Sequence, residues 1–383
     1  MGPSQYVVVG AGLAGAATAW SLARQDHEVT VVERAQPAAH DGSSHGSARI
    51  FRYAYPEAFY TRLVVQARQR WDELERLSRT ELITRTGSLD FGVTRNPRTL
   101  AGVLEAEGVE HELLDLAEAR SRWPQIAVDS ETLWHPAAGV IDSETAVRAM
   151  LDQATAHGAR LLTDWELTRT TRTRNGFRLT AADGAEVDAE KVVVAAGGWL
   201  PHLLADLELP SGFLSGLPPL QVSQEQAYHF PYRDDTAEWP TFIHKSPAIQ
   251  AYSLPGGRDA GFRGQKLAEY NAGPKMSSAA HQTGTIDPAN RARLVDYVTR
   301  FLPGLVPEPY AETTCLFTNT PTEDFVVDGV DGVTVVSACS GHGAKFAPLV
   351  GDIAADVATG SAAAPDRFRV GAGAREEVTG RAR

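Results

Sequence analysis

The run Ser43 to Arg52, SSHGSARIFR, gathers an imidazole and two guanidinium groups and is followed by Tyr53 and Tyr55. Arginine in such a loop can hold a carboxylate between two parallel N–H donors. It can equally be a solvated residue paired with an acid such as Glu57, and on these residues alone the two readings stand level. Lys345, in SGHGAKFAP, is a second cation, set just after a glycine turn that carries His342. Cys315 heads a strand-like run, CLFTNTP, and Lys266 stands in FRGQKLAEY. Taken bare, the cysteine reads as an inert core residue and the lysine as one reaching water from a strand end. Cys339 reads as a small core residue.

What these groups could act on depends on the N-terminus. YVVVG (Tyr6 to Gly10) reads as a buried parallel strand, AGLAGAATAWSLARQ as a tightly packed helix, and EVTVVE as a second strand ending at Glu33. Gly10, Gly12 and Gly15 supply G-x-G-x-x-G between strand and helix. The first glycine permits the turn, the second lets a pyrophosphate approach the backbone, and the third lets helix and strand pack closely. Glu33 stands where a carboxylate accepts a bond from an adenosine ribose. An acid there favours an unphosphorylated ribose, as in FAD or NAD, with Arg34 beside it as the residue that argues the other way.

The 383 residues exceed one ordinary core and predict two domains, or one large α/β domain with an insertion. A formal charge of -12 excludes a broad basic face for nucleic acid or an anionic membrane, though a small site can still be locally positive. Cys315 and Cys339 cannot form a disulfide framework, which points to a reducing, cytoplasmic setting. No secretory h-region and no apolar run of about 18 residues occurs, so a soluble protein is expected. Three later stretches repeat the nucleotide-domain plan: Ala146 to Leu162, Val187 to Leu204 and Asp331 to Gly360. The first is an amphipathic helix running into a strand; the others are buried strands ending in glycine turns that open helices. Between them, Arg85 to Ser143 and Ser211 to Thr322 are richer in proline and aromatics and predict a second, sheet-based domain inserted discontinuously. The tail from Ala372 reads as disordered.

Taken in order, GAGLAG, GSSHGSARIFRYAY, VVVAAGGW, QKLAEY, CLFTNTPTEDFVVD and SGHGAKFAP resemble the sarcosine oxidase group of D-amino-acid-oxidase-like flavoproteins over nearly the whole chain. The resemblance implies an α/β fold with a Rossmann-like FAD-binding domain of the glutathione-reductase type, formed by residues 1–84, 144–210 and 323–371. Residues 85–143 and 211–322 would form the substrate domain. Among cofactor contacts it implies Gly10, Gly12, Gly15, Glu33, Arg34, Ser44, His45, Arg49, Gly197, Trp199, Gly341, His342, Gly343 and Lys345. Cys315 matches the cysteine that bonds the flavin 8α carbon, so FAD is expected to be covalent.

By the same resemblance, Arg52 and Lys345 hold a substrate carboxylate, His45 and Arg49 border the flavin ring, and Lys266 serves electron transfer to oxygen on the opposite face. GHGAK also has a physical argument of its own. A helix N-terminus, free N–H groups and an ammonium would stabilise negative charge on the reduced ring. His342 could add a hydrogen bond or simply pack the turn. Tyr252 matches a tyrosine that borders the pocket, whereas Tyr270 replaces a histidine of several members, which favours a larger or cyclic substrate. The segment Gly256 to Gly264 departs from a compact family hairpin and is expected to shape access.

The sequence therefore predicts a monomeric FAD-dependent amine oxidase acting on a secondary, N-methyl or cyclic amino acid. It would give an imine and hydrogen peroxide from O2, with no metal, nucleic acid or membrane partner. A flavin dehydrogenase feeding a carrier protein and a non-catalytic FAD or NAD binding subunit are the alternatives. A nicotinamide dehydrogenase is weaker, because no second glycine fingerprint appears.

Overall fold

A computed structural model describes residues 4–371; the tail from Ala372 lies outside the described residues. Its first sheet has eight strands. Ser4–Val9 runs parallel to Val29–Val32 on one side and to Glu186–Val194 on the other, with Val7 registered against both Thr30 and Val192. Arg160–Leu162 extends the parallel set beyond Val29–Val32, and Val333–Ser337 pairs with the C-terminal half of Glu186–Val194. Strand Ser4–Val9 is buried almost throughout, as expected of a parallel strand covered on both faces.

One face is covered by the helices Leu13–Ala23, Ser143–Ala156 and Ala347–Thr359, which pack together, and the other by a cluster that includes Trp165, Leu167, Phe177 and Leu200. Small residues make the close approach possible. A Cβ on Gly15 would run into the Gly10 carbonyl oxygen, and one on Gly351 would strike the backbone of Ala17. Two expected helices differ in detail. After the Glu186–Val194 strand the chain makes a 3₁₀ turn, the short helix Leu200–Leu203 and a second 3₁₀ turn, Leu204–Asp206, in place of one continuous helix. The last helix starts at Ala347, where Pro348 suits a first turn, so Lys345 lies in the preceding 3₁₀ turn Gly343–Phe346.

The second sheet has nine strands, in which Gln221–Pro231, Gly264–Glu269, Gln250–Pro255, Thr241–Lys245, Ser88–Phe91 and Thr132–His135 lie side by side. Ala311–Asn319 pairs with Gln221–Pro231 over their length, setting Cys315 opposite Glu225. Alternation along these strands divides them between two faces. Tyr228, Phe230, Phe242 and Leu267 pack against Leu294, Tyr297 and Val298 of the Pro288–Phe301 helix. Glu225, Ala227, Ile243, Lys245, Tyr252, Leu254 and Lys266 face the other way, toward the first sheet. A three-stranded sheet of Arg49–Phe51, Gly139–Ile141 and Ile83–Arg85 fixes the exit of the Ser43 to Arg52 run. Among the described residues no helix is long and apolar enough to cross a membrane.

Candidate active site

The carboxyl ends of the parallel strands and the inner face of the second sheet enclose a cavity of about 500 Å³. Open parallel sheets bind ligands at this edge. At one end, Gly10 takes φ +100°, and a Cβ there would lie 2.6 Å from the Ala195 carbonyl oxygen. A Cβ on Gly12 would stand 2.9 Å from Ser44 Oγ, the same oxygen that accepts a bond from Leu13 N at 3.0 Å. Glu33 lines the cavity and accepts from Ala11 N at 2.7 Å and Ala35 N at 3.1 Å. Arg34 lies over the Trp199 ring, 4.6 Å from its centre, and pairs with Asp41. Gly197 and Trp199 complete this wall. A surface cleared of side chains beside a strand-terminal acid fits the dinucleotide that the glycine spacing predicts. Gly15 stands behind it and serves packing alone.

Among the described residues Arg49 pairs with no acid. Its guanidinium donates to the carbonyls of Ser43 at 3.0 Å, His45 at 2.7 Å and Ala48 at 3.0 Å, and lies 3.5 Å from Cys315 Sγ. Glu57, the acid that could have claimed these arginines, binds Arg367 instead. Cys315 is a partly exposed thiol on the cavity wall; Cys339 lines the same cavity, and burial raises its pKa. Lys266 enters from the second sheet, 5 % exposed, with Nζ 3.4 Å from the Ala48 carbonyl oxygen. Burial and then the Arg49 charge bring its pKa down to about 8. His45 is the one expected ring contact that does not reach the cavity. Its ring is buried beside His40, its Nε2 has no partner among the described residues, and burial depresses its pKa to about 3.

Lys345 and Arg52 meet around Tyr55. Arg52 lies over the tyrosine ring, 4.6 Å from its centre, and donates to the Ala54 carbonyl. Lys345 Nζ donates to His342 O at 2.7 Å and to Tyr55 Oη at 3.2 Å. Burial and Arg52 together hold its pKa well below that of a free lysine. His342 Nε2 lies 3.0 Å from the Glu323 carbonyl, which can only accept, so this nitrogen carries the proton. Nδ1 then accepts from Tyr55 Oη at 2.9 Å. With a pKa pushed down to about 3 by burial, His342 is neutral and occupied at both nitrogens, and it positions Tyr55. The Gly341–Gly343 backbone lines the cavity beside it.

Tyr252 and Tyr270 both line this end, and Tyr270 Oη donates to Glu323 Oε1 at 2.8 Å. Sequence reasoning missed Tyr55 as a scaffold, Glu323 and Lys245. The period-two pattern of TFIHK could have placed Lys245 beside Ile243. The segment Gly256 to Gly264 does not shape access, since none of its residues lines the cavity. Asp259 instead accepts from Ser47 N at 3.2 Å and from the Ser47 hydroxyl, while Arg258 pairs with Glu144 at 3.0 Å. Its closeness to the loop is permitted by Gly257, where a Cβ would collide with Ser47.

The family described as FAD dependent oxidoreductase, abbreviated DAO, matches residues 5–357. The chain belongs to this family. It is 32% identical to monomeric sarcosine oxidase of Streptomyces avermitilis, with 94% of each chain covered. To N-methyl-L-tryptophan oxidase of Escherichia coli it is 29% identical over 92% of this chain and 94% of that one. Among solved structures, NikD, an amino acid oxidase essential for nikkomycin biosynthesis, superposes with a TM-score of 0.84 at 24% identity, covering 97% and 98% of the two chains. L-proline dehydrogenase of P. horikoshii gives 0.79 at 21% identity, covering 94% of each. The fold of this FAD-dependent oxidoreductase is thus the α/β flavoprotein architecture expected from its sequence.

Proposed function

We propose that this flavoenzyme oxidises the C–N bond of a secondary, N-methyl or cyclic amino acid to an imine, with O2 reduced to hydrogen peroxide. The observation that carries the reading is the convergence of Arg52 and Lys345 on one end of the cavity, while Lys266 and Cys315 reach it from the second sheet. When bound, FAD supplies a two-electron acceptor for the hydride equivalent leaving the carbon beside nitrogen. The protein's part is positioning and charge. Arg52 and Lys345 take the substrate carboxylate, and Tyr252 and Tyr270 close the pocket around the side chain. The surrounding cations lower the pKa of the bound amine, which must be neutral to react. No acid–base side chain is required. Arg49 and the Gly341–Gly343 backbone face negative charge, and Lys266 stabilises charge developing on oxygen.

Several finer features belong to the same reading. The place of Cys315 Sγ on the cavity wall, 3.5 Å from Arg49, supports a covalent thioether from Sγ to the cofactor. The protein acts as a monomer in the cytoplasm. Oxygen uptake with sarcosine, N-methyl amino acids, proline and pipecolate tests the chemistry. One class should consume O2 and release an equal amount of peroxide. Turnover with an artificial acceptor but without peroxide would make the protein a dehydrogenase.

A further inference from the structure

Lys245 ends the Thr241–Lys245 strand and faces the cavity with Ile243, while His244 turns to the opposite core and bonds Tyr297. The strand end is fixed, because the Lys245 carbonyl accepts from Thr94 N at 3.2 Å and Gly92 leaves no room for a side chain against it. The ammonium lies 5.6 Å from the centre of the Tyr270 ring. Tyr270 abuts Gly341 and bonds Glu323, whose carbonyl holds His342, so Lys245 shares the end of the cavity occupied by Lys345 and Arg52. Among the described residues Lys245 Nζ has no hydrogen-bond or ion-pair partner. Neither nearby acid forms an ion pair with it: Asp90 binds Arg95 and Glu323 accepts from Tyr270, so their charges offset only part of the cationic repulsion. A half-buried ammonium next to two guanidinium groups, Arg95 and Arg52, is costly without an anion.

We propose that Lys245 binds a second acidic group on the substrate, so that the preferred amine carries a carboxylate side chain besides the carboxylate held by Arg52 and Lys345. The proposal rests on the amine-oxidase reading but is tested apart from it. Glutarate and butyrate, which have no amine to oxidise, are titrated into the yellow holoenzyme and followed by the perturbation of flavin absorbance. Glutarate should bind about tenfold or more tightly than butyrate, as one added charge-assisted contact allows. Lys245→Met should bring the ratio near one and Lys245→Arg should preserve it, with an unchanged yellow spectrum showing that each variant folds and loads. Anaerobic reduction by N-methyl-L-glutamate and N-methyl-L-norvaline should show the same preference and the same loss. Equal binding of the two acids, binding of neither, or a preference that survives in Lys245→Met overturns the proposal. Failure of every amine to reduce a flavin that dithionite bleaches would instead sink the oxidase reading, whatever the acids show.

Discussion

Lys266 is held between opposing influences. Burial and Arg49 drive its proton off, to a pKa of about 8, while Asp259 acts to keep it. The ammonium is present below that value and lost as pH rises through it, so reaction of the reduced enzyme with oxygen should slow above about pH 8. Stopped-flow reoxidation of Lys266→Met should be slow at all pH values, with flavin reduction by amine far less affected. Equal slowing of both steps would contradict the assignment. Cys315 makes a separate prediction: acid precipitation should leave the yellow in the pellet for the wild type and release it from Cys315→Ser. A colourless wild-type pellet excludes the thioether. Much of this was legible from residue types in order, because Arg52, Cys315, Lys266 and Lys345 sit in recognisable runs. The network around Tyr55 was not legible, since Arg52, His342 and Lys345 approach that ring only once distant segments fold together.

The elements hold these side chains by register and close packing. Gly15→Ala would put a methyl group against the Gly10 carbonyl and push the helix off the strand whose turn lines the cavity. It should cost about 1–3 kcal/mol in urea unfolding and lower the flavin content of the purified protein. An unchanged midpoint would show that helix Leu13–Ala23 can shift freely. Behind Arg52, the buried pair Asp90–Arg95 fixes the Ala54 carbonyl, which accepts from both Arg95 and Arg52. Asp90→Ala should destabilise by about 3–5 kcal/mol through the unpaired arginine. It should also weaken carboxylate binding, and wild-type stability would refute this role for the pair. The glycine fingerprint could be read from sequence because its spacing lies within one strand, turn and helix, whereas its distant partners Ala195 and Ser44 could not. The segment Gly256 to Gly264 misled because its contacts, Ser47 and Glu144, are distant in sequence, and local composition alone cannot separate a loop clamp from an access loop.

Across the whole molecule, an acidic chain of formal charge -12 sets Arg52, Lys245 and Lys345 at one end of a cavity whose wall also carries acids such as Glu33, Glu225 and Glu323, and that end favours an anionic group. We assign residues 1–84, 144–210 and 323–371 to the FAD-binding domain and 85–143 and 211–322 to the substrate domain. Sheet membership supports the division, while the small sheet joining Ile83–Arg85 to Gly139–Ile141 ties the two across it. The cavity between them carries the central claim, that an amine with a carboxylate delivers two electrons to FAD held there. The most direct test is anaerobic titration of the purified yellow protein with sarcosine, N-methyl amino acids, proline, pipecolate and primary D- and L-amino acids. Secondary or cyclic amino acids should bleach the flavin absorbance in the absence of any acceptor, and Arg52→Met should demand far higher concentrations for the same bleaching. Bleaching by dithionite but by none of these amines would contradict the account.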